Sequence, residues 1–194
     1  TIEGRAARPS DTPMSDNPAR TDLTATLSRC AWRRIGIRRR AGLLIPLFSV
    51  RSARSEGIGD FADIPLLADL CADSGNTILQ FLPLNDTGGS FCPYDAASSF
   101  ALEPAHVSLD LLAAPYGDAF GAAADALRSW FPHRRRTERN VRERKIGLLR
   151  DAFSPAMADS PAFRSFRRRS SWWLRDHALF AALKDEHAGA PWHD

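Results

Sequence analysis

Between residues 41 and 84 dense apolar runs alternate with short polar intervals, and this pattern predicts the framework of the chain. Ala41 to Val50 is apolar without alternation, which predicts a strand covered on both faces, as in a parallel sheet. Ile64, Leu67, Leu70 and Cys71 then recur at helical spacing. Asp60 or Asp63 can cap that helix, Pro65 is tolerated in its first turn, and Gly75 supplies a left-handed stop. Asn76 to Leu84 is a second apolar strand, so the pattern predicts a right-handed parallel βαβ unit.

Helical spacing dominates after Leu112. Asp118 to Phe131 places Phe120, Ala124, Leu127 and Trp130 on one face, and Pro132 ends the helix. A second helix carries Val141, Leu148, Leu149 and Phe153 on its apolar face, with Arg139, Arg142 and Arg144 on its solvated side. A third runs from Ser171 to about His187, with Trp173, His177, Phe180 and Leu183 inward, and is closed by Gly189 and Pro191. At the other end, residues 1–20 are polar and proline-containing and predict a disordered lead. A short amphipathic helix over Thr21–Trp32 follows, using Leu23, Leu27, Cys30 and Ala31.

Composition narrows the function classes. The 194 residues are 44% hydrophobic and 25% charged, ordinary for a soluble domain with a real core. A net charge of +3 does not by itself make a polyanion binder. The arginines at 33, 34 and 38–40 lack an aromatic platform or a nucleic-acid motif, so they read as solvated flanks and no nucleic acid is expected. No apolar run is long enough to cross a bilayer and no signal core leads the chain, so neither a membrane nor export is expected. Cys30, Cys71 and Cys92 are odd in number and lack Cys-x-x-Cys spacing, which fits reduced thiols in a cytoplasm, Cys71 in the core. Five histidines show no paired ligand spacing, so no metal is expected. Gly57 and Gly59 form a Gly-x-Gly pair without the third glycine or the lysine of a phosphate cradle.

The informative stretch is the loop after the second strand. Leu82-Pro83-Leu84 leads into Thr87-Gly88, then Pro93-Tyr94, then Ser99-Phe100-Ala101 with Pro104. A buried strand with a long aromatic-bearing loop at its C-terminal end is how parallel α/β enzymes build binding sites. These blocks resemble the 4-alpha-glucanotransferases (amylomaltase, disproportionating enzyme). The resemblance extends upstream through RRAGLLIPLFSVRS and Glu56-Gly57-Ile58-Gly59-Asp60, and downstream through the Trp172-Trp173 segment, covering Arg39 to Asp194.

The resemblance implies an α/β fold, the N-terminal part of a (β/α)8 TIM barrel with a helical insertion, incomplete in this chain. It divides the chain into the lead, residues 21–112 as the first βα units with the substrate loop, and residues 113–194 as helical insertion. It implies transfer of alpha-1,4-glucan segments between maltooligosaccharides, or starch- or glycogen-derived chains, with retention and no cofactor. Retention needs two carboxyl groups about 5–5.5 Å apart. The family motifs that supply them do not occur here, so no catalytic residue is assigned and the chain reads as an N-terminal fragment, inactive alone. Among the loop carboxylates, Asp60 reads as a helix cap, while Asp86, Asp95 and Glu103 remain near the loop.

Tyr94, Pro93, Asp95 and Asp86 are the implied substrate-binding residues. The family serine before Pro93 is Cys92 here, and its asparagine before Pro104 is Glu103, which cannot donate as an amide does. Trp172 and Trp173 read as one surface and one core residue, and His177 as a packed helix residue. The rival readings are a non-catalytic glucan-binding module built on Tyr94 and a nucleic-acid-binding domain built on the arginines. If the arginines are solvated, binding to a random DNA duplex will be weak and will vanish at about 0.15 M salt, since counterion release governs such contacts. Tight, sequence-selective binding at that salt in a filter assay would instead favour the nucleic-acid reading.

Overall fold

The structure, a computed structural model, describes residues 25–36, 38–90, 92–131 and 140–190. The expectations for residues 1–20, Leu23, Arg139 and Pro191 lie outside the described residues. Two compact units are present, one formed by residues up to Leu44 with Leu67–Gln80, the other by Ile45–Leu66 with the residues from Phe81 on.

In the first unit, helix α1 (Arg29–Ile35) ends at Gly36, whose φ of 77° suits a residue without a side chain. Arg33 and Arg34 in its last turn favour the negative end of the helix dipole. The expected apolar face is not realised here: α1 buries nothing, and Leu27 and Cys30 are exposed. Strands β1 (Gly42–Ile45) and β2 (Ile78–Phe81) pair in a small parallel sheet. Both are shorter than the apolar runs that contain them. Pro46 and Pro83 lack the N–H that a ladder needs, so pairing stops before them. The two strands alternate between exposed and half-buried positions, so the expectation of cover on both faces is not met by the described residues.

Helix α2 (Asp63–Asp73) joins the strands. Leu67 and Cys71 are buried as expected, whereas Leu70 is exposed. The Cys71 thiol lies 3.2 Å from the Ile78 carbonyl, a core contact rather than a reactive site. Asp60 and Asp63 cap the helix together. The Asp60 carboxylate accepts from Ala62 N at 2.8 Å, and Asp63 reaches back to Asp60 N at 3.0 Å, a reciprocal arrangement like a capping box.

The second unit is a helical assembly around α3 (Leu109–Tyr116), α4 (Asp118–Trp130) and α5 (Val141–Ala152). Its core joins Ile58, Leu109, Phe120, Ala124, Leu127 and Val141. Phe120, Ala124 and Leu127 are buried as their spacing predicts, but Trp130 is exposed and takes the Arg144 guanidinium over its ring at 4.6 Å. Phe153, expected on the apolar face of α5, is also exposed. The glycine pair is explained by packing. A Cβ on Gly57 would lie 2.6 Å from the Phe131 ring, and one on Gly59 would lie 2.0 Å from the Leu47 carbonyl.

Short helices α6 (Pro155–Ala158) and α7 (Pro161–Arg169) lead to α8 (Ser171–Glu186). Trp173 and His177 on α8 are half-buried, while Trp172, Phe180 and Leu183 are exposed. The inward face expected for α8 is therefore covered only over its first half. Among the described residues no helix is long and apolar enough to cross a membrane.

A fully buried ion pair ties this unit together. Lys145 Nζ lies 2.9 Å from Glu56 Oε2, with neither side chain exposed to solvent. The same carboxylate accepts from Leu109 N at 3.1 Å and Asp110 N at 3.3 Å, capping α3, while Lys145 also donates to the Val107 carbonyl at 2.6 Å. Ser108, the residue preceding α3, makes no side-chain cap of its own. Burial raises the nearby Asp60 carboxyl from 3.8 to about 6. Lys145 opposes that shift and Glu56 adds to it.

Breaking the pair from one side strands a charge, so Lys145→Met is expected to cost about 3–5 kcal/mol in urea unfolding. Glu56→Gln in the same chain should recover part of that loss, because the amide oxygen still caps α3 without a charge. A double variant no more stable than Lys145→Met would contradict this account. The folded Asp60 carboxyl titrates above its unfolded value, so its favourable contribution is complete below about pH 4 and is lost as pH rises through about 6. Wild-type stability minus that of Asp60→Asn should therefore fall by up to about 3 kcal/mol across this window. A flat difference in denaturation series between these pH values would remove Asp60 as the source.

Candidate functional site

The candidate site lies wholly in the second unit and is built on the loop that follows Leu84. The chain enters through Leu84-Asn85-Asp86 and returns through Ala101-Leu102-Glu103, and the two arms pair as a short antiparallel neck bridged at Asn85 and Leu102. Asp86 N donates to Ala101 O, and Glu103 N to Leu84 O, each at 2.9 Å. Beyond the neck, Gly88 and Gly89 turn the chain at φ of 60° and 98°.

Asp86 is the hub of the loop. It is buried; its backbone carbonyl accepts from Ala97 N at 2.8 Å, and its carboxylate accepts from Gly88 N at 2.9 Å. Glu103, also buried, accepts from both the amide and the hydroxyl of Thr87 at 3.1 and 2.9 Å, and from Ala105 N at 3.2 Å. The bonds an amide would have donated at this position are absent, and the carboxylate is instead a pure acceptor.

Two acidic groups this close in a buried neck require a cation, and Arg142 on α5 supplies it. Its Nε lies 2.8 Å from Glu103 and its Nη2 3.0 Å from Asp86. This corrects the expectation that Arg142 faces solvent. Burial opposes its charge, yet Glu103 and Asp86 more than offset that and hold its pKa above the ordinary arginine value. His177 of α8 approaches the other Asp86 oxygen at 3.7 Å.

The expected site residues separate along the loop. Tyr94 is at its outer part, 73% exposed, with Asp95 exposed beside it and Pro93 half-buried beneath. Asp95 N donates to Cys92 O at 3.0 Å, which shapes a tight turn around Pro93-Tyr94. Asp86 sits at the inner end, with its carboxylate engaged in bonds to protein. Pro93 also lines a mostly apolar concavity with Phe48, Leu84, Thr87, His106 and Arg142, whereas Tyr94, Asp95 and Asp86 do not line it.

His106 was not singled out by the sequence. Its Nδ1 lies 2.8 Å from the Gly59 carbonyl, which can only accept, so Nδ1 carries the proton. Burial lowers its pKa, keeping the ring neutral. Asp60 is spent on the α2 cap, as its position predicts. Among the described residues no group of three or more His, Cys, Asp or Glu side chains is arranged to hold a metal ion.

Phe100 packs edge-on against Trp172 at 4.6 Å and lies 6.0 Å from Trp173. The returning arm of the loop thus meets the start of α8. Trp172 is the surface partner and Trp173 the half-buried one.

Comparison with known proteins gives this geometry a family. A family model described as 4-alpha-glucanotransferase matches residues 45–194. The chain is 34% identical over 170 residues to a 4-alpha-glucanotransferase of Chlamydia pneumoniae, covering 83% of this chain and 32% of that protein. It is 31% identical over 165 residues to that of Chlamydia muridarum, covering 81% and 31%. Against the Thermus thermophilus 4-alpha-glucanotransferase it is 34% identical over 126 residues, covering 62% and 24%. The chain thus spans about a third of the length of the Chlamydia relatives it matches. On the match across residues 45–194, which takes in the Tyr94 loop, α5 and α8, the chain belongs to the 4-alpha-glucanotransferase family.

Proposed function

We propose that the protein acts in the transfer of alpha-1,4-glucan segments between maltooligosaccharides, or starch- or glycogen-derived chains, by a retaining covalent mechanism without a cofactor. This chain's part is recognition of the glucan through the Tyr94 loop. One observation carries the reading: an aromatic ring 73% exposed stands on a loop whose base is fully bonded. A sugar presents an apolar C–H face that stacks on such a ring, and the phenol reaches a hydroxyl. Pro93 stiffens the turn beneath, and Asp95 beside it offers an acceptor to sugar hydroxyls.

The buried carboxylates of the second unit support a recognition role rather than a catalytic one. Asp60 and Asp63 cap a helix, Glu56 is paired with Lys145, and Asp86 and Glu103 are held by Arg142. None of these is left to attack an anomeric carbon or protonate a leaving oxygen. In this reading β1, α2 and β2 open a (β/α)8 barrel and residues 113–194 belong to its helical insertion. The exposed unpaired thiols of Cys30 and Cys92 fit a reducing cytoplasm.

Titration with maltoheptaose tests the ring. Tyr94→Phe keeps the stacking face and should cost about 0.5–1.5 kcal/mol of binding. Tyr94→Ala removes the platform and should cost about 2–4 kcal/mol, with the thermal midpoint unchanged because the side chain is exposed. The 194-residue chain should release no glucose from maltotriose. Undiminished affinity in Tyr94→Ala, or glucose release above a control extract, would each overturn the part of the reading it probes.

A further inference from the structure

We propose that Arg142 is the positioning residue of the glucan loop, bridging the carboxylates at the two inner ends of the loop and so setting where Tyr94 is presented. The inference rests on the reading of Tyr94 as the glucan contact and adds a residue from outside the loop that controls it. Three features carry it. The neck brings Asp86 and Glu103 into the same buried region, with side chains only 12% and 9% exposed. Arg142 binds both from α5, through Nε to one and Nη2 to the other. Each carboxylate in turn holds the first residues of the loop proper, Glu103 through both Thr87 contacts and Asp86 through Gly88 N, while the backbone carbonyl of Asp86 accepts from Ala97 N.

The geometry asks for an arginine specifically. A planar guanidinium presents its Nε and Nη donors in a fixed fork and can satisfy two carboxylates at once. A lysine ammonium is a point charge on a flexible stem and would favour one carboxylate at the expense of the other. Without a cation, two acids in a neck of low exposure repel, and the arms that carry the Tyr94 turn separate. Apart from Phe100 on Trp172 and Trp173 and Pro93 at the concavity, the described residues between 87 and 100 are held by local turns, so the neck contributes to where the turn points. Pre-ordering the turn before the sugar arrives reduces the ordering cost of binding.

The bland alternative is that Arg142 only docks α5, in which case its loss would loosen the unit evenly. Amide hydrogen exchange separates the two in the 194-residue chain. In Arg142→Met, exchange at Thr87, Gly88 and Ala97 should speed up about tenfold or more while the interior amides of α4 keep their rates. Maltoheptaose affinity should fall about fivefold or more, with Arg142→Lys intermediate in both readouts. Unchanged loop exchange in folded Arg142→Met would overturn the proposal, as would acceleration spread equally over α4. Faster loop exchange with unaltered maltoheptaose affinity would overturn the link to binding. Should Arg142→Met fail to fold, Arg142→Lys decides by the same comparison. If Tyr94→Ala binds maltoheptaose like the wild type, the glucan reading fails while the exchange comparison still judges Arg142.

Discussion

The buried contact between Glu56 and Lys145 constrains three separate segments of the second unit at once. Removing two full charges from water costs several kcal/mol for each ion, and the cost is met only if every remaining donor and acceptor finds a partner. Here they do. Glu56 also accepts the first amides of α3, and Lys145 also donates to the Val107 carbonyl. The pair therefore ties the segment before Gly57, the start of α3 and the first turns of α5 to one point. A shift in any one of them would leave a buried charge unpaired. Its value lies in placement more than in net stability, since an apolar pair of similar volume could be equally stable.

Placement of α5 has a direct consequence for the loop. Lys145 and Arg142 lie three residues apart on one helix, close to one turn, so fixing the first in the core aims the second at the neck. The core pair and the surface turn at Tyr94 are thus linked by a single helix. The loop itself illustrates how an exposed aromatic ring is carried on a well-bonded base. Its polar groups are satisfied at the base by Asp86, Thr87 and Glu103, which leaves the apex free to carry an aromatic ring in solvent. Function is commonly sited on loops, but only loops whose ends are held can present a side chain precisely.

The apolar surface elsewhere follows another logic. The faces of β1 and β2 and the second half of α8 show leucine, isoleucine and phenylalanine to solvent. Their sequences have the composition of covered elements, and the described residues do not supply the cover. Composition sets what an element is able to bury. Whether it is buried depends on a partner that local sequence does not specify.

Local signals were sufficient for the elements whose causes are local. The helical spacing of Phe120, Ala124 and Leu127, the acids at 60 and 63 before Pro65, and the run from Ser171 all appear as helices or caps where expected, because backbone propensity and period act within a few residues. The strand ends were missed, because the apolar runs to Val50 and Leu84 continue past Pro46 and Pro83, whose missing N–H cannot extend a ladder. Ordered motifs around Tyr94 identified the family because several blocks occur in the right order along one stretch of chain. Tertiary structure alone decided the partners. Val141, Lys145, Leu148 and Leu149 share a face at helical spacing, so a lysine within the apolar stripe was visible in the sequence, but its partner lies 89 residues away at Glu56. Arg142 read as one more solvated arginine beside its neighbours; its role depends on Asp86 and Glu103, 56 and 39 residues distant, arriving at the same point. Charge in a sequence has no direction until the chain folds, and the geometry that turns an arginine into a bridge exists only when three separate segments meet.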